Sequence, residues 1–140
     1  MRTGRCLCGA CGYEVQGDPV VVAHCHCQDC QRLSGAGHTT GAMFPEAQVR
    51  LRGPVATYAL ASDAGNQVTR GFCATCGSPL FGKNSGMQGF MTMTAGTFDR
   101  PDDLTPQVAI FARSRRTWDH VDPAVASFEA QPAWTPAEPA

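Results

Sequence analysis

The chain has 140 residues, 43% hydrophobic and 16% charged, with a formal net charge of -1 and a pI near 6.4. A surface this close to neutral supplies no cationic field for nucleic acid or an anionic membrane. The length suits one domain that buries roughly two-thirds of its unfolded surface.

The first residues, Met1-Arg2-Thr3-Gly4-Arg5, lack the apolar core and cleavage pattern of a secretion signal, so a cytoplasmic setting with reduced thiols is expected. Cys6-Leu7-Cys8 comes next. Strands are expected at 12–16 and 20–24, the second running into Cys25-His26-Cys27-Gln28-Asp29-Cys30. A short helix is expected at 28–33, followed by strands at 39–43, 49–52, 57–60 and 68–72. The last of these ends on Cys73-Ala74-Thr75-Cys76-Gly77. Further strands are expected at 79–82, 89–94 and 107–112, and a second helical turn at 123–128. Three prolines in 131–140 mark a tail expected to fray, from about residue 129 onward. Short β segments between Gly, Pro and Asn punctuation predict a mainly β fold of antiparallel sheets, a sandwich or open barrel.

Seven of the eight cysteines fall into the three clusters Cys6/Cys8, Cys25/Cys27/Cys30 and Cys73/Cys76. Spacings of one and two residues let thiolates converge on one small cation, whereas disulfide frameworks scatter their cysteines more widely. Ligands in sets of two, three and two suit one closed four-thiolate zinc site and one three-thiolate site with an open position. A metal shared by Cys6, Cys8, Cys73 and Cys76 would tie the N-terminal strand to the central hairpin and act structurally. A redox Cys-x-x-Cys would need a βαβ context that the pattern lacks.

Two points stay open on spacing alone. Cys6-x-Cys8-x-x-Cys11 repeats the spacing of Cys25-x-Cys27-x-x-Cys30, so Cys11 is either a ligand or a buried core residue beside Tyr13 and Val15. The second zinc is either closed, by His38 or Cys11, or open to an incoming ligand. Three thiolates leave zinc with a net charge of about minus one, a weak Lewis acid for hydrolysis but a good holder of another thiolate. No His-x-Glu precedes a Pro-Cys-x-x-Cys, which removes zinc-deaminase chemistry.

Three segments resemble the glutathione-dependent formaldehyde-activating enzymes, a family that includes centromere protein V-type zinc domains. They are Gly4-Arg5-Cys6-Leu7-Cys8-Gly9, His24-Cys25-His26-Cys27-Gln28-Asp29-Cys30, and Phe72-Cys73-Ala74-Thr75-Cys76-Gly77-Ser78-Pro79. The resemblance implies a β-tent fold over residues 4–128, with two zinc ions per chain. It implies structural zinc at Cys6, Cys8, Cys73 and Cys76, and catalytic zinc at Cys25, Cys27 and Cys30. The implied activity is a carbon-sulfur lyase or synthase that joins glutathione to formaldehyde or a similar small aldehyde, with no nucleic acid or membrane partner.

Glutathione carries two carboxylates, so its site should offer cations at some distance from the metal. Arg32, Lys83 and Arg113 are candidates, and Ser34 and His38 are candidate polar contacts near the second zinc. Each competes with an ordinary surface or turn-capping role. A rival reading is a zinc-stabilised binding module that uses Arg113-Ser114-Arg115-Arg116 on phosphates. Trp118 and Trp134 are candidates for a pocket wall or an interface, with packing in the core the commoner fate of such indoles.

Overall fold

In a computed structural model, which describes residues 1–133, the chain forms two sheets around one core. Strands β1 (Arg2–Arg5), β2 (Gly12–Val15) and β5 (Val49–Arg52) make a three-stranded antiparallel sheet in the order β1-β2-β5. The larger sheet uses β3 (Val21–Cys25), β4 (Thr39–Pro45), β6 (Val55–Ala61) and β7 (Gln67–Cys73). It also uses β8 (Pro79–Asn84), β9 (Phe90–Thr94), β10 (Val108–Ile110) and β11 (Ala126–Ser127). Its order is β11-β10-β3-β4-β9-β8-β7-β6. One short helix, α1 (Gln28–Ser34), follows β3.

Period-two alternation sets the core face. Tyr13 and Val15 of β2, Ala42 and Phe44 of β4, and Met91 and Met93 of β9 all point inward. The Phe98 ring meets Tyr13 edge-on at 5.2 Å and Phe44 at 5.9 Å, which joins the two sheets through aromatic contacts. A backbone bridge between Gly4 and Phe98 adds to this joint, and a Cβ on Gly4 would run into the Tyr13 ring. Phe44 is fully buried, so Phe44→Ala should cost about 3–5 kcal/mol, read as a lower denaturant midpoint at unchanged slope.

Nine of the expected strands and the first helix form close to their expected positions. β1 was not expected: of Arg2-Thr3-Gly4-Arg5 only Gly4 is buried, so neither hydrophobicity nor alternation marks it. The sheet is also not wholly antiparallel, because β10 runs parallel to both β3 and β11. Finally, the helical turn expected at 123–128 does not form. The Val125 amide donates to the Asp122 carbonyl, and then Ala126 and Phe128 donate to Gln107 and Ala109. Pairing with the exposed edge of β10 satisfies those amides in place of a helical turn.

Candidate metal centres and their cleft

Cys6 and Cys8 lie just beyond β1, while Cys73 ends β7 and Cys76 lies in the turn between β7 and β8. The four sulfurs come together within 4.8 Å of one another. Cys6 and Cys8 are 3.6 Å apart and Cys8 and Cys73 are 3.8 Å apart. A tetrahedral ion with bonds of about 2.3 Å needs sulfurs about 3.8 Å apart, so the set fits zinc. Amides complete it: Cys11 donates to Cys6 Sγ, and Thr75 and Cys76 donate to Cys73 Sγ. Gly77 supports this turn with a φ of 78°. A hydrogen bond with the Ser78 hydroxyl, at 3.2 Å, holds the Cys76 thiol down at about 5. Cys11 stays outside the group, fully buried in the core, where burial pushes its thiol up to about 11.

The second group forms where β3 meets α1. Cys25 ends the strand, Cys27 is the helix N-cap, and Cys30 is one turn on, with its amide donating to Cys27 Sγ at 3.3 Å. Among the described residues no fourth Cys, His, Asp or Glu atom joins these three sulfurs. The Cys25 and Cys27 thiols pull Cys30 well below its ordinary value by hydrogen bonding to its sulfur. Hydrogen bonds with Cys27 and then Cys30, together with burial, push the Cys25 thiol far up.

Arg70 was missed in the sequence and stands at this centre. Its guanidinium donates to Cys30 Sγ at 3.6 Å from strand β7, two strands away in the sheet from β9 and four from β3. Gly82, opposite it on β8, makes room: a Cβ there would lie 2.8 Å from Arg70 Nη1. An arginine inside an otherwise uncharged strand, beside Gly71, was the available signal.

All three sulfurs line a cleft of about 1460 Å³ that runs across the larger sheet. Leu60, Phe72, Phe81 and Phe90 contribute apolar walls, and Arg70, Lys83 and Arg113 are its cations. Lys83 is paired with Glu46 at 2.6 Å. Arg113 lies over the Phe111 ring at 5.5 Å. Phe111 is left-handed, with φ 55° and ψ 38°, a strained conformation for a bulky residue, at the start of the turn that carries Arg113.

The other expected contacts divide. Ser34 and His38 line the cleft; Arg32 is exposed on α1 and is not part of the wall. Arg115 Nη1 donates to the Asp119 carbonyl and Arg116 Nε to Gln31 Oε1, so two cations of the basic run are engaged in holding their own loop. Gln31 Nε2 in turn donates to the carbonyls of His26 and Ser114, docking α1 against that loop. Trp118 is exposed, and Gln131, Pro132 and Ala133 lie along the cleft. Trp134 and the rest of the expected tail lie outside the described residues.

His26, His38 and Asp119 form a third group of metal-ligand type, also unexpected. Its geometry is that of hydrogen bonds. His38 Nδ1 hydrogen-bonds Asp119 Oδ2 at 2.7 Å, whereas His26 Nδ1 hydrogen-bonds the Gly37 carbonyl at 3.3 Å and lies 3.2 Å from the same carboxylate oxygen. A metal on His26 Nδ1 would move that ring's proton to Nε2, which is buried without any acceptor.

No helix among the described residues is long and apolar enough to cross a membrane. No curated protein matches the chain. A crystal structure of a Rhodobacter sphaeroides protein is similar in fold at 20% identity, with a TM-score of 0.58 over 73% of this chain and 94% of that one. The family description "glutathione-dependent formaldehyde-activating enzyme" matches residues 1–114, which contain all three cysteine clusters. That match spans well over half of the chain and carries every cysteine cluster: the chain belongs to the glutathione-dependent formaldehyde-activating enzyme family.

Proposed function

We propose that the chain, as one zinc-binding domain over residues 4–128, takes a thiol at the Cys25/Cys27/Cys30 centre and adds it to formaldehyde or a similar small electrophile. Glutathione is the thiol the family points to. The observation that carries this reading is a three-sulfur group on a cleft wall with no fourth protein ligand among the described residues. Two zinc ions fit the donor sets, one at Cys6, Cys8, Cys73 and Cys76, the other at Cys25, Cys27 and Cys30. Zinc at the second set supplies one thing, the thiolate form of a bound thiol, which is the nucleophile.

The chain's own residues do the rest. A fourth anionic sulfur beside three thiolates raises the local negative charge, and Arg70, already on Cys30 Sγ, offsets it. The apolar walls keep water from competing for the electrophile. Arg113 would receive one carboxylate of the tripeptide, and Lys83 would receive the other by leaving Glu46; the Ser34 hydroxyl is held in its own turn by the Gln31 carbonyl and the Ala36 amide. Arg32, outside the cleft, has no part in this reading.

Proton exchange spectroscopy on mixtures of glutathione and formaldehyde tests the reaction. The zinc-loaded protein should raise the rate of S-hydroxymethylglutathione formation above the uncatalysed background, and no increase would refute the proposal. Arg70→Ala should weaken glutathione binding on the order of tenfold while zinc content stays the same, as calorimetry and metal analysis would read.

A further inference from the structure

Alternation gives the central strands of the larger sheet two faces. Val22, Ala42 and Ala109 point into the core and are buried. The opposite face carries Val21, Ala23 and Cys25 of β3, Met43 of β4, and Val108 and Ile110 of β10, all half-buried and all on the cleft wall. The register fixes their neighbours. Ile110 lies beside Cys25, Val108 beside Ala23, and Met43 beside Val21. A strip of aliphatic side chains therefore starts at Cys25, a member of the three-sulfur centre, and runs away from it along β3.

The strip has a hollow. Ala23 faces Gly41 across the β3–β4 pair, so little or no side chain stands there between larger neighbours. The Thr92 methyl closes the far side, since a Cβ on Gly41 would run into it. From Cys25 back to Val21 the strand spans about 13 Å, the length of a straight chain of roughly eight to ten carbons. β3, β4 and β10 contain no Asp, Glu, Lys or Arg, so nothing on the strip would receive a charged tail. The cation of the centre comes from elsewhere: Arg70 reaches it from β7, at the Cys30 sulfur. The cleft, at about 1460 Å³, also exceeds the roughly 300–1,000 Å³ of an ordinary small-ligand site. Formaldehyde, with its single carbon, would leave the strip in contact with water.

We propose that the electrophile of this site is an aldehyde with an unbranched apolar tail of roughly eight carbons, its tail laid along the strip from Cys25 to Val21; this rests on the thiol addition proposed above. The thiol sulfur forms a bond to the carbonyl carbon, the carbonyl π pair moves onto oxygen, and the proton that the thiol gives up ends on that oxygen. Nothing is oxidised or reduced, and every atom of thiol and aldehyde is in the product. The tail covers Ala23, with Ile110 and Val108 along its flank and Val21 and Met43 at its end. It removes from water an apolar surface that formaldehyde cannot reach.

The test follows addition of glutathione to ethanal, butanal, hexanal and octanal by the zinc-loaded full chain, each corrected for the uncatalysed rate. The kcat/KM should rise about twofold or more for each added methylene up to octanal. Ala23→Phe fills the hollow and should cut the octanal-to-ethanal ratio by about tenfold or more, with zinc content and melting temperature as in wild type. 1-Octanol, which has the tail and no carbonyl, should compete with octanal and shift the Ala23 and Val108 methyl resonances. A flat series overturns the proposal; formaldehyde addition above background would then leave the thiol reaction standing and the strip as a face for a protein surface. A rising series that Ala23→Phe does not change also overturns it, because the tail then lies elsewhere. If no aldehyde, formaldehyde included, reacts above background, the thiol reaction itself fails and the tail assignment falls with it.

Discussion

Replacing Cys73 with serine should leave the chain without a cooperative unfolding transition at ambient temperature. Cys73 is fully buried, sits in the hydrophobic core cluster and accepts amide hydrogen bonds from Thr75 and Cys76. Its sulfur also belongs to the group that bridges the turn after β1 and the β7–β8 turn, more than sixty positions apart in the chain. A structural zinc contributes about 10–16 kcal/mol of apparent binding energy. A whole domain is stable by only about 5–15 kcal/mol, so loss of this site removes most or all of the margin. Excess chelator should do the same to the wild-type protein. Cys11→Ala is the contrast: it should keep its zinc and lose on the order of 1–2 kcal/mol, because Cys11 packs beside the sulfurs without joining them. Circular dichroism melts with metal analysis on both variants check this. Retention of full stability by Cys73→Ser would contradict a structural role for the group.

Cys27→Ser should have the opposite profile, a folded protein without the reaction. Cys27 caps α1 through its side chain, and serine is a better cap than cysteine, so the helix keeps its start. What the substitution removes is one of three sulfurs. Zinc should drop to one ion per chain from two, and glutathione-dependent addition should fall to the uncatalysed background with the melting temperature little changed. A zinc count of two with full activity would mean that Cys27 is only a cap. A melting temperature that collapses along with activity would mean that the second site also holds the fold together.

Much of this was legible in the sequence because cysteine spacing is a local signal that survives any topology. Cys6/Cys8 and Cys73/Cys76 meet as expected, and Cys25/Cys27/Cys30 stand apart from them. Strand positions were legible where side chains alternate, as in β4 and β9. They were illegible in β1, whose charged residues flank a single buried glycine, and in β11, which forms because an edge of β10 was there to be paired. The site residues divide along the same line. His38 was visible as a histidine free of the cysteine motifs, but its partner Asp119 lies eighty-one positions away and no pattern joins them. Arg70 resembled one more charged strand residue until the sheet carried it across Gly82 to Cys30. Pairings of this kind come from sheet order, which local sequence does not encode.

A thiol as fourth partner of the Cys25/Cys27/Cys30 centre is the step on which the proposed reaction depends. Calorimetric titration of the zinc-loaded protein with reduced glutathione, against S-methylglutathione as the blocked control, tests it most directly. One reduced glutathione per chain should bind saturably, with no comparable heat from the blocked form and loss of binding in Cys27→Ser. Equal binding of both forms, or no binding with two zinc ions still present, would contradict it.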